Sequence, residues 1–161
     1  MLRAMRYLFL LIIALANPVY ADVDLVRVDK SEGKMYLMEW DAAVKEFHVA
    51  LGANPKGHKQ QEGDERTPEG EYTLDYKKAH SSFYRAMHVS YPNANDKAAA
   101  KASGVLPGGF IMVHGQRNGF GWLASITQRF NWTDGCMALT NSEMDEFMGL
   151  VKAGTKIRIE W

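Results

Sequence analysis

The chain has 161 residues, 19 basic and 19 acidic side chains, and a formal net charge of zero. That length fits about one domain, and a composition 47% hydrophobic and 24% charged is that of an ordinary globular protein rather than a disordered or polytopic membrane chain. No basic excess is present to hold nucleic acid through its phosphates. A single cysteine excludes an internal disulfide and a CxxC zinc site. The thiol is therefore buried filler, an intermolecular bridge or a reactive group.

Arg3 and Arg6 flank an apolar run from Tyr7 to Ala16, followed by Asn17, Pro18, Val19, Tyr20 and Ala21. A basic start, a short apolar stretch and small residues at −3 and −1 are the parts of an export signal. The run is shorter than the roughly 20 apolar residues a membrane span needs. Residues 1–21 are thus expected to be a cleaved leader, with cleavage after Ala21, and residues 22–161 the working domain. That domain is slightly acidic, because the leader holds two arginines and no acid. An exported chain with one unpaired thiol stands out, since an oxidising compartment disfavours an idle exposed cysteine.

Leu25, Val26 and Val28 predict a first strand, and Lys30 to Gly33 a turn. Met35 to Trp40 predicts a second strand. Glu46 to Leu51 alternates, with Phe47, Val49 and Leu51 on one face. Gly52 to Gly70 is polar and rich in glycine and charge, which predicts a long loop. Glu71 to Leu74 is a short strand. Met87, Val89 and Tyr91 alternate with His88 and Ser90 until Pro92 interrupts. Asp96 to Ala102 predicts a short helix stopped by Gly104, and Phe110 to Val113 a buried strand ending at His114-Gly115. The segment 116–132, with Gly119 and Gly121, has the character of a lid loop.

Thr140 and Glu143 have capping-box spacing. Met144, Phe147, Met148 and Val151 follow as one packed helical face, and Gly154 fits a stop. Ile157, Ile159 and Trp161 then alternate with Lys156, Arg158 and Glu160 as a last strand with one buried face. Strands dominate. The expected fold is mainly β with short helices, a single sandwich or barrel-like domain.

Chemistry is concentrated around Cys136. It follows Thr133, Asp134 and Gly135, and the glycine permits a tight turn whose backbone N–H groups can face an oxyanion. His114, 22 positions earlier, ends a predicted strand, and Gly115 allows close approach there. A thiolate nucleophile needs a base or a cation nearby. On residue types alone, a cysteine nucleophile and a buried thiol remain equal alternatives. His48, His58, His80 and His88 lack zinc-ligand spacing, so no metal is expected. Lys59, Glu62, Asp64, Glu65 and Arg66 form a mixed-charge loop, by default a solvated surface. Trp122 and Trp132 are either core or walls of a cleft.

The wording of these segments adds a resemblance. Val113-His114-Gly115 followed by Thr133-Asp134-Gly135-Cys136 resembles the active-site signature of the L,D-transpeptidases, the YkuD-type catalytic domain. Gly57-His58-Lys59, Gly63-Asp64, Arg66-Thr67-Pro68-Glu69-Gly70 and Ser90-Tyr91-Pro92-Asn93 are similar to loops of the murein-acting branch, and the likeness runs from about Leu25 to Trp161. It implies a periplasmic, wall-associated enzyme on peptidoglycan stem peptides, with no cofactor. Cys136 would attack the carbonyl before a terminal D-alanine, His114 would move the proton, and the backbone of Gly135 and Cys136 would hold the oxyanion. Thr133 stands for the usual serine, whose carbonyl orients the histidine. Water as acceptor would give an L,D-carboxypeptidase or an amidase cutting murein–protein links. A murein-linked protein is then an acceptor or a substrate, and a wall-binding module without catalysis is the third alternative. Asp134 replaces a common histidine, and a carboxylate there disfavours the thiolate unless a base such as Arg129 pairs with it. Ala138 replaces a common arginine. The resemblance makes Lys59, Arg66, Arg117 and Arg129 the cations available for a substrate carboxylate, with Gly115, Trp132 and Asp134 as further substrate contacts.

Overall fold

The computed structural model describes residues 22–161; the expected leader lies outside the described residues. β1 (Leu25–Asp29) and β8 (Thr155–Glu160) form the middle of the molecule, paired in parallel with Val26 opposite Ile157 and Val28 opposite Ile159. All four of those side chains are buried. Arg27, Arg158 and Glu160 point the other way, where Arg27 meets Glu160 at 3.5 Å and Arg158 grips Glu71 at 2.7 and 3.0 Å. One apolar and one charged face is the pattern of a sheet covered on a single side. Trp161 lies beyond the last strand and is exposed, because the ladder ends at Glu160.

β2 (Lys34–Glu39) and β3 (Ala42–His48) extend the sheet beyond β1; β4 (Gly70–Ser81), β5 (Tyr84–Val89), β6 (Met112–His114) and β7 (Met137–Ala138) extend it beyond β8. The full order is β3-β2-β1-β8-β4-β5-β6-β7, a mixed sheet with β1–β8 and β6–β7 parallel. The chain after β3 then meets the opposite end. Ala50 and Ala138 exchange hydrogen bonds of 3.0 and 2.8 Å, and Thr133 N–H donates to Leu51 O. The sheet thereby curls towards closure, the mainly β, barrel-like domain expected.

Several strand bounds differ from expectation. Trp40 leaves the strand for a two-residue hairpin turn, exposed at φ 56°, so β3 begins at Ala42 rather than Glu46. Val49 and Leu51 stay buried, but outside the strand. β4 continues seven residues past Leu74 as the exposed arm of a hairpin with β5. Its polar residues are carried by backbone pairing, not by burial. Phe110 is exposed at φ 54° and precedes β6 instead of opening it.

α1 (Ala94–Ala102) starts from Asn93, whose side chain and Asp96 form a reciprocal cap. α3 (Asn141–Leu150) starts from the expected Thr140–Glu143 box, and Met144, Phe147 and Met148 enter the core. Burying each such side chain contributes about 2 kcal/mol. α3 ends at Leu150 with extended Val151, so Gly154, at φ 95°, shapes the turn into β8 rather than stopping the helix. Between β6 and β7 a 3-10 turn (Gly121–Leu123) runs into the single helical turn α2 (Ala124–Thr127). Much of the expected lid loop is therefore helical.

Candidate active site

β6 and β7 bring His114 and Cys136 together. Their parallel register sets Val113 opposite Met137 and His114 opposite Ala138. Strand alternation then turns the side chains of His114, Ala138 and Cys136 to one face. Cys136, His114, Thr133, Asp134 and Trp132 all line one cavity of about 260 Å³, with Phe83, Met112 and Phe110. Phe110 and Met112 precede His114 at two-residue spacing, a signal present in the sequence; nothing local marks Phe83.

His114 is buried, with its ring 4.6 Å from Phe83 and 5.9 Å from Trp132. Its Nδ1 lies 2.7 Å from Gly115 O. A carbonyl accepts, so Nδ1 carries the proton and Nε2 is left as the basic nitrogen. Burial holds the imidazole below its ordinary value, against a smaller rise from the Gly115 bond. Burial also pushes the Cys136 thiol up; Asp134 adds to the rise, while the Met112 backbone and the Lys59 ammonium oppose it. The resting pair is thus a neutral thiol, which donates to Phe110 O at 3.6 Å, and a neutral imidazole. Such a pair could react only by proton transfer to the histidine, not from a preformed thiolate.

The turn before Cys136 is knotted by a hydroxyl. Buried Thr133 accepts from Gly135 N–H at 3.2 Å and donates to Cys136 O at 2.6 Å. Its hydroxyl is thus part of the turn, and threonine keeps the hydroxyl that serine would supply. The Gly135 N–H, expected to face an oxyanion, is occupied by Thr133. Gly135 has φ 123°, and a Cβ there would stand 2.5 Å from Arg66 O. Only glycine lets the 52–70 loop pass this close behind the nucleophile.

The expected cations lie elsewhere. Lys59 is buried, with Nζ 2.7 Å from Asp64 and 3.1 Å from Gln61 O, so its side chain is a loop anchor. Arg66 offers its backbone to Gly135 while its guanidinium lies near Gly57. Arg129 is exposed at the end of the α2 segment, and among the described residues it makes no ion pair with Asp134. Arg117 lines a neighbouring hollow that shares Trp132 with the cavity of Cys136. Gly115, expected as a substrate contact, is not among the residues lining the Cys136 cavity; a Cβ there would stand 2.8 Å from Asn141 Oδ1 and 3.0 Å from Tyr84 Cβ. Among the described residues no three His, Cys, Asp or Glu side chains gather as metal ligands.

Comparison with known proteins gives the family of this fold. Residues 24–159 match the profile of the YkuD family, the L,D-transpeptidase catalytic domain. The chain is 33% identical over 97 residues to YafK of Escherichia coli K12, provisionally named an L,D-transpeptidase; the match covers 59% of this chain and 32% of YafK. Its fold superposes on the helical cell shape determining protein Pgp2 of Campylobacter jejuni with a TM-score of 0.64 at 25% identity, covering 84% of this chain and 46% of Pgp2. An L,D-transpeptidase from Xylanimonas cellulosilytica shares the fold at TM-score 0.58 and 16% identity, with 89% of this chain and 63% of that one covered. The chain therefore spans about one third of YafK and under half of Pgp2. With the profile match spanning nearly all the described residues, this chain belongs to the YkuD family of L,D-transpeptidase catalytic domains.

Proposed function

We propose that residues 22–161 form an exported, periplasmic L,D-transpeptidase that uses Cys136 as its nucleophile on peptidoglycan tetrapeptides. The observation that carries this reading is the shared cavity of Cys136 and His114, with Nε2 left free by the bond from Nδ1 to Gly115 O. Export rests on the basic and apolar pattern of residues 1–21. Pgp2, a structural neighbour at 25% identity, is a helical cell shape determining protein, which supports a role in wall architecture.

In the reaction, the stem's penultimate carbonyl carbon takes the Cys136 sulfur while the thiol proton passes to His114 Nε2. The oxyanion faces the Cys136 N–H, since the Gly135 N–H is held by Thr133. The C–N bond then breaks, the imidazolium gives its proton to the departing D-alanine amine, and a thioester remains. An acceptor amine attacks that thioester, its proton goes to His114, and the sulfur leaves to recover the thiol. Asp134, exposed on the cavity wall, supports transfer over hydrolysis because its carboxylate draws in an acceptor ammonium, which sheds one proton to solvent before the neutral amine attacks.

The test is product analysis by mass spectrometry on purified disaccharide-tetrapeptides, with residues 22–161 and with Cys136→Ala. D-alanine release with cross-linked dimers, absent from the variant, is expected. Tripeptide alone would replace the transpeptidase with a carboxypeptidase. Release only from sacculi carrying bound protein would replace it with an amidase. Equal behaviour of both proteins would leave a binding module.

A further inference from the structure

The helical segment between β6 and β7 is built inside out. Its hydrogen bonds run from Gln128 N–H to Ala124 O at 3.0 Å, Arg129 N–H to Ile126 O at 3.1 Å and Phe130 N–H to Thr127 O at 3.2 Å. The inward side is polar: Gln128 is buried and donates to Ala138 O at 3.0 Å, and the Thr127 hydroxyl donates to buried Gln116 at 2.7 Å. The outward side is apolar: Trp122, Ile126 and Phe130 are 76%, 54% and 64% exposed, with Phe120 beside them at 48%. Trp122 stands in the 3-10 turn, Ile126 in α2 and Phe130 in the bend that follows, so together they make a short exposed apolar row along the segment. A segment packed on a water-facing domain normally has the reverse polarity.

Charge along the same stretch is one-sided. From Gly115 to Thr133 there is no aspartate or glutamate, although residues 22–161 as a whole lean acidic. Arg117 and Arg129 bracket the apolar row, and the Arg117 guanidinium stands 5.8 Å from the Phe120 ring. We propose that this segment docks on an anionic phospholipid surface, with Trp122, Ile126 and Phe130 in the interfacial layer and Arg117 and Arg129 on headgroup phosphates.

Area and charge favour lipid over a second copy of the chain. A stable protein interface draws on roughly 20–30 residues a side, and this short segment supplies only a handful. A bilayer needs no matching shape, only an apolar row with cations at its edge. Aromatic and arginine side chains together suit the headgroup region. The segment lies on the surface and does not cross it: among the described residues no helix is long and apolar enough to span a membrane. Docking would hold the Cys136 cavity beside lipid, because Trp132 walls both that cavity and the hollow beneath the segment.

The experiment is co-sedimentation of residues 22–161, which contain the whole described core, with vesicles of phosphatidylcholine alone or enriched in phosphatidylglycerol. It is repeated for W122S/F130S and R117Q/R129Q, with circular dichroism to show that these exposed changes leave the fold intact. Wild type is expected to bind anionic vesicles about tenfold better than neutral ones, and less well in high salt. Each double variant should lose about tenfold on anionic vesicles. Cys136→Ala should bind as wild type does, so a failed peptidase assay does not touch this result. No binding to anionic vesicles overturns the proposal, as does equal binding by W122S/F130S. Dimers that W122S/F130S dissolves, without lipid binding, would assign the row to a second copy.

Discussion

Thr133→Val tests the knot in the nucleophile's turn. The substitution keeps the shape and removes the hydroxyl. Gly135 N–H then loses its 3.2 Å acceptor and Cys136 O its 2.6 Å donor, both at a buried threonine. Leaving a buried polar group unpaired costs about 1–3 kcal/mol, so losing both bonds should lower stability by about 2–6 kcal/mol. With a mid-range urea slope of about 2 kcal/mol/M, the midpoint should fall by about 1–3 M. The nucleophile also loses its fixed position, and a displacement near 1 Å costs about 100-fold in rate. Thr133→Ser keeps both bonds and gives up one methyl, about 0.8 kcal/mol. Urea unfolding gives the stability, and D-alanine release the rate, for all three proteins. A valine variant within about 0.5 kcal/mol of wild type, at full rate, would refute the knot.

Gly135→Ala should be worse, costing about 3 kcal/mol or more, because the new Cβ meets Arg66 O at 2.5 Å with φ at 123°; thermal unfolding measures it. Asn93→Ala should remove the α1 cap and about 1 kcal/mol, visible in the same assay, with D-alanine release unchanged since α1 lies away from Cys136. The pH dependence has two signs. His114 is held below 6.5 in the folded state, so its contribution to stability is present above that value and is lost as pH falls through the folded value. Cys136 is held above 9.0, so its contribution is full below that value and is lost as pH rises towards the folded value. Iodoacetamide labelling of Cys136 should accordingly stay slow at pH 7 and continue to rise beyond pH 9.0; labelling already at plateau at pH 7 would contradict the neutral pair.

Much of this fold is legible where burial and sequence share a period. β1 and β8 follow from Val26, Val28, Ile157 and Ile159, and α3 from Thr140, Glu143 and the row through Phe147. The outer half of β4, Asp75 to His80, has no such signal, because it is exposed on a hairpin held by backbone pairing. Phe110 and Trp161 mislead for the opposite reason, being apolar and exposed. Cys136 and His114 are visible as a lone thiol and a strand-ending histidine. The Thr133 hydroxyl, the glutamine anchors of the α2 segment and the pairing of Lys59 with Asp64 depend on distant partners that no local pattern names.

The central claim is that Cys136 carries the acyl group. Intact mass of residues 22–161, acid-quenched during reaction with disaccharide-tetrapeptide, tests it directly. The account predicts a thioester adduct equal to the donor less D-alanine, mapped to Cys136 and absent from Cys136→Ala. D-alanine release that persists in Cys136→Ala would contradict it.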